Sequence, residues 1–102
     1  MALSIKENNN AEKGVWEFKL AGEIDISNAN TFKKQLESAL AEIKQSITID
    51  VSELNYIDST GLGVIIGAYG SIKNDGYCVK MLNPKDNVKK LLNISGLDRI
   101  LC

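Results

Sequence analysis

One short run of this chain combines an acidic residue, two hydroxyls and two glycines: residues 58–63, with the sequence DSTGLG. The run follows a β-branched apolar stretch at residues 47–51 and precedes apolar residues at helical spacing, so Ser59 is expected where a helix begins. Backbone N–H groups at a helix start lack intrahelical partners, and the helix dipole makes that end electropositive. A serine at such a place is either an ordinary N-cap or a hydroxyl that can accept a phosphoryl group.

The neighbours of Ser59 leave two interpretations open. Glycines at positions 61, 63, 67 and 70 lie in the same predicted helix, and each interior glycine costs a helix up to about 1 kcal/mol relative to alanine. They serve either close packing of the helix against a sheet or a flat surface that a partner's backbone can approach. Asp58 is likewise either a capping carboxylate or a contact with a partner or a metal-bound nucleotide during phosphoryl transfer.

The elements that must position this run are indicated by hydrophobic spacing and by turn and cap residues. The first half contains a short strand at Leu3 and Ile5, a turn over residues 8–14, a strand at 16–20, and a helix at 29–43 capped by Ser27 or Asn28. The second half contains a strand at 47–51, a helix from Ser59 to near residues 74–76, a strand at 77–82, and a helix opened by Asn83 and Pro84 and ended by Gly96. The side chains expected to fix the end of the chain to the core are Leu97, Ile100 and Leu101.

The order β-β-α-β-α-β-α predicts an α/β fold, because strands that alternate with helices are joined by right-handed crossovers into a parallel sheet. An N-terminal hairpin makes the sheet mixed but mostly parallel, with the helices packed against it. Residues 1–102 are expected to form a single domain. Ligand sites in such sheets lie outside the carboxyl ends of the strands. Two segments follow predicted strands at such ends, residues 22–25 and residues 58–59. Whether they are neighbours depends on the strand order, which the sequence does not give.

Composition excludes several functions. The net charge of −1 gives no electrostatic basis for binding nucleic acid or an anionic membrane, and no apolar run is long enough to span a bilayer. Without histidine the chain holds neither a Ser-His-Asp triad nor a histidine-ligated metal site, and it has no nucleotide-binding motif, so no metal and no cofactor are expected. Cys78 is interpreted as a small buried hydrophobic residue without a framework disulfide, which favours the cytoplasm.

Three segments resemble the motifs of a known family. Residues 56–64, YIDSTGLGV, resemble the signature of STAS domains, specifically the bacterial anti-sigma-factor antagonists. Residues 20–25, LAGEID, with Asn28 and Ala29 after them, are similar to the second motif of the family, and residues 91–100, LLNISGLDRI, to its third. The segments occur in the family's order and at its usual separations, and they cover nearly the whole chain. The resemblance also implies that the segments at 22–25 and 58–59 lie side by side.

The resemblance implies a protein that switches partners. Its unmodified form binds a kinase-type anti-sigma factor and so frees a sigma factor. That kinase uses ATP to phosphorylate Ser59, the phosphorylated form is released, and a metal-dependent serine phosphatase resets it. The chain itself performs no catalysis, and Thr60 is the less favoured phosphate acceptor. The implied partner-binding residues are Asp25, Asp58, Thr60, Gly61, Leu62 and Gly63.

Three alternatives remain open. A STAS domain can instead act as a scaffold, or control a phosphatase or another output, without a sigma factor. Ser59 could be the nucleophile of a small enzyme or of an acyl or phosphoryl carrier, but the absence of histidine and of a nearby base argues against this role. A receiver-like domain would be phosphorylated on an aspartate after a strand, for which Asp50 is the candidate.

Overall fold

The computed structural model describes residues 2–97, whose strands and helices follow the predicted order β-β-α-β-α-β-α. The strands are β1 (Leu3–Asn10), β2 (Val15–Ile24), β3 (Ser46–Ile57) and β4 (Val79–Leu82). The helices are α1 (Ala29–Glu42), α2 (Ser59–Ile72) and α3 (Asp86–Ile94), with a short 3-10 turn at Lys73–Asp75 directly after α2.

The four strands form one sheet in the order β1-β2-β3-β4. Strand β1 runs antiparallel to β2, whereas β2 and β3 are parallel, as are β3 and β4. This arrangement confirms the predicted mixed, mostly parallel sheet with an N-terminal hairpin. The two parallel connections step in the same direction across the sheet, so right-handed crossovers put α1 and α2 on one face, where the two helices contact each other.

The core lies between that face of the sheet and the helices. On β2 the side chains of Trp16, Phe18 and Leu20 are buried, while Glu17 and Lys19 on the opposite face are only half-buried. Successive side chains of a strand point to opposite faces, so this alternation shows which face the helices cover. On the opposite face, Glu17, Lys19, Thr48 and Asp50 border an open depression.

Trp16 ties the start of β2 to the end of α1. Its indole Nε1 donates a hydrogen bond to the backbone oxygen of Ile43 over 2.9 Å, and the residue is 3% exposed. Further along β2, the rings of Phe18 and Phe32 meet edge to face with their centroids 5.9 Å apart, a favourable aromatic geometry. These contacts hold α1 on the sheet and thereby fix the position of the turn that precedes the helix.

Strand β3 is longer than the sequence pattern predicted. Its buried residues alternate as far as Val51 and then lie three apart, at Leu54 and Ile57. Two β-bulges absorb the extra residues, because the pairing with β2 shifts once after Asp50 and again after Leu54. At the first bulge the Asp50 carboxylate accepts a hydrogen bond from the N–H of Ser52 over 2.9 Å, and this bond is the main cause of the lowered pKa of Asp50. Asp50 therefore lies inside a strand, where it does not have the strand-end position of a receiver-type aspartate.

Other predicted boundaries also differ from the structure. Strand β1 continues through the asparagines at 8–10, and the turn occupies residues 11–14, where Gly14 has a φ of 66°. Helix α3 begins at Asp86, because Asn83 adopts a left-handed φ of 56°, whereas an N-cap before Pro84 would need an extended backbone. The predicted end of α2 is confirmed by Gly76, whose φ of 83° closes the 3-10 turn.

The last part of the described chain is anchored by Leu97, which is 1% exposed, as predicted. The other two predicted anchors, Ile100 and Leu101, lie outside the described residues. Cys78 is half-buried and disulfide-bonded, so the prediction of a buried residue without a disulfide is wrong. Between residues 2 and 97, no helix has the length and apolar character needed to cross a membrane.

Candidate functional site

The segments at residues 22–25 and 58–59 lie side by side at the carboxyl ends of β2 and β3. Ile24 and Ile57, the last residues of these parallel strands, are paired in the register of the sheet. The N–H of Asp58 donates to the backbone oxygen of Ile24 over 3.3 Å, so the pairing extends one residue past β3. This arrangement confirms the side-by-side placement that the family resemblance implied.

Asp58 caps helix α2. Its backbone is extended, with φ −107° and ψ −174°, and its carboxylate oxygen Oδ1 accepts hydrogen bonds from Thr60 N over 3.0 Å and from Gly61 N over 3.2 Å. The same oxygen accepts a short hydrogen bond from the Thr60 hydroxyl. These bonds, led by the one from the Thr60 hydroxyl, lower the pKa of Asp58. The capping interpretation of Asp58 is thus confirmed, and Ser59 is not the N-cap.

Ser59 is the first residue of α2 and is exposed. Among residues 2–97, its hydroxyl makes no hydrogen bond, whereas the hydroxyl of the half-buried Thr60 is held by Asp58. Helical spacing places Ser59 on the outward face of α2 together with Gly63, Ile66 and Gly70, all of which are exposed. The free hydroxyl is therefore at one end of a surface that is nearly bare of side chains.

The glycines of α2 divide into two kinds. A Cβ added to Gly61 would come within 2.7 Å of Ile57 Cγ1 and 2.9 Å of Ile24 Cγ2, so this buried glycine allows the first turn of the helix to pack on the strand ends. Among residues 2–97, a Cβ at positions 63, 67 or 70 would meet no atom within 4 Å other than the neighbouring backbone of its own helix. Close packing therefore explains Gly61 and none of the other three. A partner-binding role for Gly61, for the buried Leu62 or for Gly63 stays a prediction.

The turn between β2 and α1 is held by its own side chains. Asp25 accepts hydrogen bonds from the N–H and the hydroxyl of Ser27, and these bonds lower the pKa of Asp25. Asn28 Oδ1 accepts from Asp25 N over 2.9 Å, and Asn28 Nδ2 donates to the backbone oxygen of Glu23 over 3.0 Å. At the tip of this closed turn Ile26 is 80% exposed. Sequence reasoning missed Ile26, because an apolar residue next to a helix is ordinarily expected in the core.

The site carries negative charge. Asp25 lies near enough to Asp58 to oppose part of the lowering of its pKa, as two neighbouring carboxylates do. Glu23 is half-buried at the end of β2, and its Oε2 is buried without a hydrogen-bond partner within residues 2–97. Nevertheless, no group of acidic or cysteine side chains between residues 2 and 97 has an arrangement that could hold a metal ion.

A groove of about 680 Å³ separates α1 from α2 beside this site. On one side it is lined by Leu36 and Leu40 of α1, and on the other by Thr60, Gly63 and Gly67 of α2. Because the two glycines contribute no side chain, the helices do not fill the space between them. The outward face of α2 is thus bordered by open space on its α1 side.

The fold and the motifs of this chain match known proteins. Residues 6–101 match the family model described as STAS domain. The chain is 32% identical over 99 residues to an anti-sigma-B factor antagonist of Bacillus subtilis, which covers 97% of this chain and 86% of the relative. It is similar to the crystal structure of a putative anti-sigma factor antagonist from Thermotoga maritima, with a TM-score of 0.83, 29% identity, and coverage of 97% of this chain and 82% of that one. It also shares its fold with the anti-sigma factor antagonist SpoIIAA in the unphosphorylated form, with a TM-score of 0.86, 20% identity, and coverage of 97% and 86%.

Proposed function

The chain belongs to the STAS domain family, and from this premise we propose that it is an anti-sigma factor antagonist whose partner binding is switched off by phosphorylation of Ser59. Two relatives that are 32% and 33% identical over nearly the whole chain carry the name anti-sigma-B factor antagonist. One structural neighbour, SpoIIAA of Bacillus, has been solved in an unphosphorylated and a phosphorylated form. These names support the class of function, and the geometry around Ser59 supports the choice of this residue.

The observation that carries the proposal is the difference between two adjacent hydroxyls. Ser59 is exposed and its hydroxyl makes no hydrogen bond among the described residues, so a kinase can reach the oxygen without disturbing the fold. The hydroxyl of Thr60 is half-buried and bonded to Asp58, so its use as an acceptor would cost the helix part of its cap. Ser59 is therefore the phosphate acceptor and Thr60 is not.

The reaction requires a kinase and ATP from outside the chain. Ser59 Oγ attacks the γ-phosphorus, the bond from that phosphorus to the ADP oxygen breaks, and the hydroxyl proton is taken up by a base of the kinase. In the reverse half of the cycle a metal-dependent serine phosphatase uses water to cleave the Oγ–phosphorus bond and releases inorganic phosphate. The chain contributes the acceptor oxygen and performs no catalysis itself.

The unmodified surface around Ser59 suits a protein partner. Ile26 is 80% exposed and Ile66 is 43% exposed, and between the two residues the helix surface carries Gly63 and the small Ser59 side chain. Two apolar side chains beside a flat surface allow close contact with a complementary partner, here the anti-sigma factor kinase. Asp25, Asp58 and Thr60 act mainly by holding the two turns that present this surface.

Phosphorylation adds strong negative charge to a surface that already lies beside two carboxylates. A phosphoserine carries about −1.5 to −2 charges at neutral pH, and it would stand beside Asp58 and close to Asp25. The partner would then meet both repulsion and the cost of desolvating the phosphate. A loss of about 3 kcal/mol lowers affinity by roughly a hundredfold, which is enough to release the partner. Since its partner in this scheme is an ATP-dependent kinase that otherwise holds a sigma factor, we place the protein in the cytoplasm. The disulfide at Cys78 gives this placement no support, because disulfides are rare there.

Mass spectrometry of the protein after incubation with the anti-sigma factor kinase of the same organism and ATP tests the proposal. Wild type should gain one phosphate on Ser59, Ser59→Ala should gain none, and Ser71→Ala should be modified like wild type. Ser71 is a suitable control because it is exposed on the same helix. Calorimetric titration should show that unmodified wild type binds the kinase and the phosphorylated form binds about a hundredfold less tightly. Full phosphorylation of Ser59→Ala, or equal affinity of both forms, would exclude the proposed switch.

A further inference from the structure

The amino end of α2 is already occupied by an anion of the chain itself. The backbone N–H groups of Thr60 and Gly61, which a helix start ordinarily offers to an anion, donate to Oδ1 of Asp58 over 3.0 and 3.2 Å. The N–H of Asp58 donates in turn to the backbone oxygen of Ile24 over 3.3 Å. Two of the usual donors of an anion site, Thr60 N and Gly61 N, are thus taken before any phosphate is attached.

This occupancy matters because Ser59 precedes both donors. A phosphate in the first turn of a helix is ordinarily stabilised by free N–H groups and by the helix dipole. In this chain a phosphate on Ser59 Oγ would have to displace the Asp58 carboxylate to reach Thr60 N or Gly61 N. As long as Asp58 keeps these hydrogen bonds, the phosphate is repelled by the Asp58 carboxylate and is not bound by Thr60 N or Gly61 N.

The charged groups of the surrounding elements do not reverse this effect. On the β2 side are two more carboxylates, Glu23 and Asp25. On the α1 side Lys33 lines the groove that also contains Thr60. On the α3 side the ammonium of Lys85 is hydrogen-bonded to Asn55 Oδ1. The cations thus stand on neighbouring elements, whereas the carboxylate of Asp58 is adjacent in sequence to the modified residue.

We propose that Asp58 is a positioning residue of the switch: its carboxylate holds the amino end of α2 and so keeps the phosphoryl group of Ser59 out on the partner-facing surface. This inference rests on the proposed phosphorylation of Ser59. Without the carboxylate, the phosphate turns back onto Thr60 N and Gly61 N. Its charge is then partly neutralised by its own helix, and the partner meets less repulsion. The loss of partner affinity on phosphorylation therefore depends on Asp58, which is not itself modified.

The position of the phosphate can be tested by NMR without a kinase, on protein in which phosphoserine is incorporated at position 59 during translation. The informative variant is Asp58→Gly, because glycine is accepted at an N-cap with little loss of helix stability. In wild type, phosphorylation should leave the amide proton signals of Thr60 and Gly61 nearly unchanged. In Asp58→Gly it should move both signals downfield, and a phosphorus-31 titration should give a second phosphate pKa lower than in wild type by about half a unit.

A second variant separates the charge of Asp58 from its hydrogen bonds. Asp58→Asn keeps an acceptor for Thr60 N and Gly61 N but removes the negative charge, so the amide signals should stay in place while the phosphate pKa falls slightly. This variant also tests the proposal if Asp58→Gly fails to fold. An unchanged phosphate pKa in a folded Asp58→Asn would overturn the claim that the charge of Asp58 acts on the phosphate. Unchanged amide signals and phosphate pKa in a folded Asp58→Gly would overturn the whole proposal.

The effect on the switch is measured as the ratio of dissociation constants of the phosphorylated and unmodified forms for the anti-sigma factor kinase. This ratio should be about tenfold smaller in Asp58→Gly than in wild type. Asp25→Asn, which removes a nearby charge without freeing either N–H group, should change the ratio less. If phosphorylated wild type is not released at all, the proposed function fails, and the NMR result still decides where the phosphate lies. If wild type is released and Asp58→Gly is released equally, only the role of Asp58 fails.

Discussion

The turns that follow β2 and β3 have the same local hydrogen bonds. In the first, Asp25 accepts from the N–H and the hydroxyl of Ser27; in the second, Asp58 accepts from the N–H and the hydroxyl of Thr60. Each aspartate directly follows the last residue of its strand, and those last residues are paired in the sheet. The two turns are therefore local repeats of one another, placed next to each other at one edge of the sheet.

The turns differ in the residue that comes third after the aspartate. In the second turn this residue is Gly61, which lies against Ile57 and Ile24 and allows α2 to begin inside the turn. In the first turn it is Asn28, whose side chain bonds back to Asp25 N, so α1 begins only after the turn is complete. One turn is thus merged with its helix, while the other stands apart as a closed loop.

The residue in the middle of each turn is exposed, and here the chemistry differs. The closed loop presents Ile26, which suits contact with an apolar surface of a partner. The turn merged with α2 presents Ser59, next to the positive end of a helix where Thr60 N and Gly61 N already donate to Asp58. In the proposed scheme, one backbone arrangement thus presents an apolar contact in the first turn and a phosphate acceptor in the second. Four experiments test this difference between the turns.

Replacing the residue that distinguishes the turns should have the largest effect. In Gly61→Ala the new Cβ comes within 2.7 Å of Ile57 Cγ1, so overpacking should lower the free energy of unfolding by about 1–3 kcal/mol in denaturant titrations. The matched control is Gly63→Ala, where the new Cβ would contact no other part of the described chain within 4 Å beyond its own helix backbone, and helix propensity should raise stability by up to about 1 kcal/mol. Similar effects at both positions would contradict the packing role of Gly61.

Shortening the side chain at the tip of the closed loop should weaken binding and spare the fold. Ile26→Ala is expected to lower affinity for the anti-sigma factor kinase about thirtyfold, near 2 kcal/mol, because a well-exposed apolar contact would be lost. Calorimetric titration gives the affinity. Ile94→Ala is the control, since Ile94 is 78% exposed at the end of α3. An equal loss of affinity in both variants would argue against a specific contact at Ile26.

Removing the cap of α2 should have a moderate, pH-dependent effect. Asp58→Ala should lower the free energy of unfolding by about 0.5–2 kcal/mol near neutral pH. Because the pKa of Asp58 is lowered in the folded state, its carboxylate stabilises the protein above the unfolded pKa of about 4 and loses this effect as pH falls through the folded pKa. The stability difference between wild type and Asp58→Ala should therefore shrink on acidification below about pH 4. A difference that grows in acid would contradict this assignment.

Removing the hydroxyl of Ser59 should have the smallest effect on stability. A capping serine would cost about 0.5–2 kcal/mol when replaced by alanine. Because Asp58 is the cap, Ser59→Ala should change the free energy of unfolding by less than about 0.5 kcal/mol while it abolishes phosphorylation. Thermal unfolding of wild type and Ser59→Ala, measured in parallel, provides the check. A large loss of stability in the variant would indicate that Ser59 caps the helix.

The sequence was sufficient for the order of elements and for the position of the Ser59 motif at a helix start, because hydrophobic spacing and turn residues are local signals. It was not sufficient to choose the cap, since aspartate and serine are both favoured N-caps. That choice depends on where β3 ends. The bulges after Asp50 and Leu54 break the alternation of buried residues, so the strand could not be followed to Ile57 from its pattern.

Two other features depend on tertiary geometry. Asn83 followed by proline is a strong helix-opening signal, but Asn83 adopts a left-handed φ of 56° and α3 begins at Asp86. The exposure of Ile26 follows from the closed loop that carries it, and nothing in the local sequence separates it from a core isoleucine. The glycines of α2 show the same limit, because only the packed structure distinguishes Gly61 from Gly63.

Trp16 gives the molecule a built-in optical probe. It is the chain's only tryptophan, and it is buried at the amino end of β2 under the last turn of α1, whereas Ser59 follows the carboxyl end of the parallel strand β3. Indole emission should therefore shift when the protein melts and remain constant when Ser59 is phosphorylated or a partner docks beside it. Fluorescence of an unlabelled sample can thus report folding independently of signalling, so the two can be followed in a single cuvette.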